Sequence, residues 1–225
     1  MNAGPGPASA IVSSTDREGF AAFMLRARAA GIEDMTLMSV IESVPRRQFM
    51  DAEYHHLAMA PRTIPIACGE TLEGLDLQAR IIHALHADGV SRVLEIGTGT
   101  GFTACVLSRL AKRVYTLERY RTLHQAAAQR IRHLGVTNVI SLHADGSSGS
   151  QDGPFDRIVS WNAFPSLPRH FVEQLVSGGS MICAIGEADE PQVLVRLTKT
   201  GSRFEREDIG TVRFQLIKAG IPRIL

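Results

Sequence analysis

The stretch "RVLEIGTGTGF", residues 92–102, is an apolar run that ends in three glycines spaced by single threonines. Val93 to Ile96 reads as a short buried strand, and the residues after Gly101 read as a helix. Strand, then Gly97-Thr98-Gly99-Thr100-Gly101, then helix is the geometry in which a nucleotide-like ligand meets the backbone at the carboxyl end of a parallel strand. The glycines permit that close approach. A dinucleotide fingerprint needs glycine at 97, 99 and 102, but position 102 is Phe102 and the third glycine comes one residue early. A nicotinamide dinucleotide is disfavoured.

Working outward, strands and helices alternate. Downstream come a strand over 113–117, a helix over 120–134 stopped by Gly135, strands over 139–142 and 155–161, a helix over 168–176 ended by Gly178-Gly179, and the apolar strand "SMICAI". The segments "VLVRLTKTGSRFERED" and "TVRFQLI" then read as a hairpin or edge strands. Upstream lie a helix over 75–87, an irregular stretch over 57–74 punctuated by Pro61, Pro65, Gly69 and Gly74, and amphipathic helices over 16–30 and 36–44 with a short turn at "RRQFM". Such alternation predicts βαβ units and an α/β fold: a Rossmann-like, mostly parallel sheet with antiparallel carboxyl-terminal strands, flanked by helices. The expected organisation is a flexible start over 1–15 and one domain over 16–225, with a helical and looped cap (16–74) on a Rossmann-like core (75–225).

Three acids then fall at the ends of three successive strands. Glu95 lies inside the first strand, two residues before Gly97, where its charge repels a pyrophosphate and suits a cationic ligand. S-adenosylmethionine, with a sulfonium, an ammonium and no phosphate, fits that sign. Glu118 ends the second strand 21 residues after Gly97, where an acid can accept hydrogen bonds from both ribose hydroxyls. Asp145-Gly146 ends the third and is placed to position the adenine end. Singly these are ordinary: a tight turn, a surface acid, a turn dipeptide. Together, in order along one sheet edge, they form the expected cofactor crevice.

The whole chain sets bounds. Its 225 residues, 44% hydrophobic content, 21% charge and net charge of +1 describe an ordinary globule without the basic excess of a nucleic-acid binder. No run approaches the roughly 20 apolar residues of a membrane span, and residues 1–14 lack the basic start and apolar centre of a signal peptide. Cys68, Cys105 and Cys183 are widely separated and form no CxxC pair, so neither a disulfide framework nor a zinc site is indicated, and the expected setting is a reducing cytoplasm. His55-His56 and the pair His83, His86 lack an HExxH pattern and read as solvated positions; no metal is expected. Trp161 and Phe164, after the fourth strand, suit either an acceptor pocket or the core.

The motifs "SVPRRQF", "VLEIGTGTGF", "LER" at 117–119, "ADG" at 144–146, "GPFDRIVS" at 153–160 and "LPRHFVEQLVSGG" at 167–179 resemble the protein-L-isoaspartate O-methyltransferases, within the class I methyltransferases. The likeness runs from residue 25 to residue 214. It implies methyl transfer from S-adenosylmethionine to the free carboxylate of L-isoaspartyl residues in damaged proteins, with S-adenosylhomocysteine as product and a protein or peptide as partner. It further implies a monomer or weak homo-oligomer, and a cofactor site of Thr71, Leu72, Glu73, Glu95, Gly97, Thr98, Gly99, Gly101, Glu118, Arg119, Asp145 and Gly146.

This chain departs from the family pattern in "PIACGETLEG", residues 65–74. Where the family reads Pro-Ile-Gly-x-Gly-Gln-Thr-Ile-Ser-x-Pro, the chain has Ala67 for the first glycine, Glu70 for glutamine, Glu73 for the serine near the reacting groups and Leu75 for the proline. Met59-Ala60-Pro61 replaces the family's Tyr-x-Asp, and "VRFQLIKAG" lacks a proline. A glutamate where a hydroxyl faces an incoming carboxylate puts two anions in one site. Glu73 is thus the candidate reacting-site residue, and two other readings stay open beside isoaspartyl transfer: the same chemistry on another acceptor, or cofactor binding without catalysis.

Overall fold

The computed structural model describes residues 14–222; of the flexible start expected over 1–15, residues 1–13 lie outside the described residues and the last two are helical. The first helix, α1 (Ser14–Ala29), begins two residues before the expected boundary and gives way to a turn in which Gly31 takes φ +81°. Helix α2 (Met35–Ser43) is capped by Asp34, whose Oδ1 accepts from the N–H of Leu37 at 2.9 Å. Two 3-10 turns, Arg46–Phe49 and Ala52–Leu57, lead to a two-residue hairpin of β1 (Ile64–Pro65) and β2 (Thr71–Leu72), so the irregular stretch carries a short antiparallel ladder.

Helix α3 (Leu75–Leu85) opens the βα succession: β3 (Arg92–Ile96), α4 (Phe102–Ser108), β4 (Arg113–Glu118), α5 (Arg121–His133), β5 (Val139–His143), β6 (Phe155–Phe164) and β7 (Leu175–Ile185). Strands β8 (Gln192–Thr200) and β9 (Arg203–Val212) complete one seven-stranded sheet of order β5-β4-β3-β6-β7-β8-β9. The β3–β4, β4–β5, β3–β6 and β6–β7 pairs are parallel; β7–β8 and β8–β9 are antiparallel. This is the expected α/β sheet. Strand order reverses between β3 and β6, and in such sheets the crevice outside the carboxyl ends at that switch is where ligands bind.

Neighbouring strand residues serve opposite faces. Val93, Val114, Ile182 and Leu194 join α1, α2, α3 and α4 in the larger core, which holds Phe20, Phe23, Phe49 and Phe102. Leu94, Tyr115, Cys183 and Val195 form the second face with Phe164, Phe171 and the partly buried Leu167 and Phe204. That second face corrects one expectation. Residues 168–176 do not form an α-helix: a 3-10 turn, Arg169–Gln174, buries Phe171, and β7 starts at Leu175. Leu175 is itself paired with Phe155, and the register shifts before Ser180 pairs with Arg157, so Gly178, at φ +74°, bends a strand and does not end a helix.

Candidate active site

The carboxyl ends of β5, β4, β3 and β6 open into one cleft enclosing about 900 Å³, part of it open to solvent. Its floor is the chain that leaves each strand. From β3 come Gly97, Thr98, Gly99 and Thr100; from β4, Glu118, Arg119 and Tyr120; after β5, Asp145, Gly146 and Ser147; from β6, Trp161 and Asn162. The hairpin supplies a roof through Ile66, Glu70, Thr71, Leu72 and Glu73, and the tail closes one side through residues 215–218.

The glycine loop is tied down from below. The N–H groups of Gly97 and Thr98 both donate to the carbonyl of Leu117, at 2.9 and 3.2 Å, and the hydroxyls of Thr98 and Thr116 are 2.6 Å apart. Gly97 turns at φ +89°, and a Cβ there would stand 3.1 Å from Oδ1 of Asn162, so glycine makes room for that amide. Glu118 then fixes the loop to its neighbour: Oε2 accepts from the N–H of Gly99 and Oε1 from that of Tyr120, both at 2.9 Å. Burial pushes this carboxyl above the usual range, while the N–H groups of Tyr120 and Gly99 pull it back.

Two expected ligand residues stand outside the lining. Glu95 is wholly buried beneath the loop, where Oε1 accepts from the Thr103 hydroxyl at 2.5 Å and the Trp161 indole at 3.0 Å, and Oε2 from Thr116 at 2.7 Å. Burial raises its carboxyl and the three donors oppose the rise. Its charge is spent on orienting Trp161 and the loop rather than on facing a ligand. Gly101, the N-terminal cap of α4 at φ +90°, would place a Cβ 3.1 Å from that of Ala127, so glycine there serves the contact between α4 and α5.

Asp145 lines the cleft with both oxygens engaged. Oδ1 accepts from the N–H of Ser147 at 2.8 Å and Oδ2 from that of Gly220 at 2.6 Å. Burial opposes its charge, yet those N–H groups and the nearby Arg119 hold its carboxyl below the usual range. Arg119 also donates from Nε to the carbonyl of Gly220 at 3.0 Å, and Gln215 donates to the carbonyl of Gly69 at 2.8 Å. The tail is therefore sewn to the floor at one end and to the roof at the other.

The roof hangs on Arg46. Buried at 2% exposure, its guanidinium donates to the carbonyls of Ala58 (2.7 Å) and Glu73 and to Oε1 of Gln78 (3.0 Å), and lies 5.2 Å from the ring centroid of Phe102, the first residue of α4. Burial lowers its pKa to about 10. The Glu73 carboxylate accepts from Thr63 Oγ1 at 3.0 Å and Thr71 Oγ1 at 3.1 Å, with its own pKa raised by burial against those two donors and the Arg46 charge.

Sequence reasoning missed Ile66, Tyr120, Asn162 and residues 215–218. The tail residues carry no glycine or acid signature; the parallel bridge from Ala163 to Leu216 draws them to the strand ends, and the bonds from Gln215 to Gly69 and from Gly220 to Asp145 keep them there. Of the two aromatics weighed, Trp161 lines the cleft and Phe164 is core. Among the described residues no group of three or more His, Cys, Asp or Glu could hold a metal ion, and no helix is long and apolar enough to cross a membrane. His83 and His86 pair ring to ring at 5.8 Å, the latter as the left-handed cap of α3.

Comparison with known proteins places this geometry. A sequence profile of the protein-L-isoaspartate(D-aspartate) O-methyltransferases (PCMT) matches residues 20–219. The protein-L-isoaspartate O-methyltransferase of Rhizobium meliloti is 42% identical over 186 residues, covering 82% of this chain and 91% of that one. That of Parvibaculum lavamentivorans is 41% identical over 199 residues, 87% and 90% of the two chains. Among solved structures, the backbone superposes on a Plasmodium falciparum protein described as a putative protein-L-isoaspartate O-methyltransferase in complex with S-adenosyl-L-homocysteine. The TM-score is 0.75 at 21% identity, over 89% of this chain and 98% of the other, a likeness of fold. With most of its length matched by that profile and by relatives above 40% identity, the chain belongs to the protein-L-isoaspartate O-methyltransferase family.

Proposed function

We propose that the protein transfers a methyl group from S-adenosylmethionine to the free carboxylate of an L-isoaspartyl residue in a protein or peptide, releasing S-adenosylhomocysteine. Its role is repair of damaged proteins in the cytoplasm, as a monomer or weak homo-oligomer, without nucleic acid or membrane. The observation that carries the reading is the row of strand ends: glycine loop, Glu118 and Asp145 side by side in one cleft, in a chain of this family.

The cleft suits the cofactor. Glu118 is a buried carboxylate at the cleft whose two oxygens each accept one backbone N–H and keep a further lone pair, an acceptor for two hydroxyls. Thr100 Oγ1, also in the lining, is buried without a hydrogen-bond partner among the described residues, a polar atom that a donor-rich ligand satisfies. Glu118 would hold the ribose, with the Gly97–Gly99 backbone beneath, Arg119, Asp145 and Gly146 at the adenine end, and Thr71, Leu72 and Glu73 over the methyl-donor end. Glu95 and Gly101 would act from behind, through Trp161 and the start of α4.

When bound, the cofactor supplies an electrophilic methyl on a sulfonium. The acceptor carboxylate, with an ordinary pKa near 4, is ionised at neutral pH and needs no general base. The protein's part is placement: the roof excludes water, and Trp161, locked by its hydrogen bond to Glu95, and the Asn162 amide bound the space from which a carboxylate oxygen approaches in line.

The test is transfer of labelled methyl to a peptide with one isoaspartate, against its normal aspartate twin, scored as base-labile ester. Ester on the isoaspartyl peptide alone is expected. Ester on neither, in a preparation that binds the cofactor, overturns the reading.

A further inference from the structure

The acceptor end of the cleft carries a fixed negative charge. Along the sheet order, Asp145 stands after β5, Glu118 ends β4 and the glycine loop follows β3. A ligand laid across these strand ends directs its far end at Trp161 of β6 and at the roof. Glu73 lines the same cleft from the roof, and it is held at three points: its carbonyl by Arg46, Oε2 by Thr63 and Oε1 by Thr71. A carboxylate so tethered has lost the rotamer freedom by which a surface glutamate swings away from an approaching anion.

Few charges offset it. Arg46 lies on the backbone side of Glu73 and is the cation that acts on it. Asp76, on α3, is paired with Arg26. The cleft's other cations, Arg119 and Lys218, act on Glu70, whose carboxyl adds a second negative group to the roof.

We infer that Glu73 is a specificity-determining residue: its tethered carboxylate favours isoaspartyl segments with a cationic side chain beside the modified residue and disfavours segments with an acidic one there. The inference rests on the isoaspartyl reading. The acceptor's own carboxylate is presented near Glu73, so a neighbouring lysine offsets the repulsion and a neighbouring glutamate adds to it. For half-exposed charges a few ångströms apart, exchanging lysine for glutamate changes the preference by about tenfold, and less at high salt.

The test uses the full chain and two isoaspartyl peptides that differ only in a flanking lysine or glutamate. Affinity is read by fluorescence anisotropy with S-adenosylhomocysteine present, and methyl transfer in parallel. The protein is expected to bind and methylate the lysine peptide about tenfold better. Because burial raises the Glu73 carboxyl, the preference fades as pH falls through that raised value, before an ordinary glutamate would titrate. Glu73→Gln keeps the length and the bond accepted from one threonine, with its amide N–H donating to the other threonine's oxygen, and brings the two peptides to within about twofold. Equal affinity in the unaltered protein, or a preference that survives Glu73→Gln, overturns the inference. A charge preference in binding with no methyl on either peptide upholds the role of Glu73 and overturns the isoaspartyl reading; binding of neither peptide overturns both.

Discussion

Replacing Arg46 with methionine tests how the roof is held. The guanidinium has no carboxylate within ion-pair distance among the described residues, and it satisfies three acceptors: Ala58 O, Glu73 O and Gln78 Oε1. Stranding a buried acceptor costs about 1–3 kcal/mol, so three cost about 6 at the middle of that range. Against this, burial lowers the Arg46 pKa from 12.5 to about 10, and at about 1.4 kcal/mol per pKa unit, removing the cation returns about 3 kcal/mol of desolvation. Methionine refills much of the volume over Phe102. The net loss is about 3 kcal/mol, which for a chain of this size lowers Tm by about 6–12 °C. Arg46→Lys keeps the charge and one or two of the bonds and falls between. The assay is thermal unfolding, with cofactor affinity by calorimetry alongside. Affinity at Glu118 drops less than peptide affinity, because the roof loosens before the floor does. A Tm within about 2 °C of the unaltered protein would refute the reasoning, since the stranded acceptors would then be finding other partners.

Four further outcomes follow from the same contacts. Glu118→Ala removes the charged acceptor we propose for the two ribose hydroxyls, each bond worth about 1.5 kcal/mol or more, so calorimetry should show cofactor affinity reduced by about 100-fold or more. In the unaltered protein, that affinity falls on acidification through the raised Glu118 pKa, because the ionised form accepts the hydroxyls; the same raised pKa means that its contribution to folding stability is present at low pH and lost as pH climbs through the folded value. Gly101→Ala meets both a φ of +90° and Ala127 at 3.1 Å, which should cost about 2–3 kcal/mol in denaturant unfolding while leaving cofactor affinity within about twofold. Glu95→Ala strands the indole N–H of Trp161, the chain's single tryptophan, and should both destabilise by about 3 kcal/mol and shift the tryptophan emission.

How much of this was legible in the sequence depended on whether the signal was local. The glycine loop and the acids at 118 and 145 could be placed because strand ends and tight turns are written in adjacent residues, and a parallel sheet then brings those ends together. The false helix over 168–176 was a local signal misread: Gly178-Gly179 looks like a helix stop, yet the pairing of Leu175 with Phe155, twenty residues away, decides the segment. Residues 215–218 stand out in sequence only as part of a stretch that departs from the family pattern, for what puts them in the cleft is Gln215 reaching Gly69 and Gly220 reaching Asp145, contacts across 146 and 75 residues.

Glu95 shows why spacing alone misassigns a role. Its place two residues before Gly97 suggested a charge facing a cationic ligand, and sign favours that. What sequence does not give is which way the strand's alternation turns it: Glu95 points into the face of Val93, among Thr103, Thr116 and the Trp161 indole, and three donors hold it there in full burial. With three donors on its two oxygens, no exposure and no place in the cleft lining, Glu95 does not reach a ligand, but it fixes the Trp161 ring that lines the cleft. The acid that spacing set beside the glycine loop therefore orients one wall of the cleft, while Glu73, the roof carboxylate for which we propose a part in choosing the acceptor, stands in the segment where the chain departs from its family's pattern.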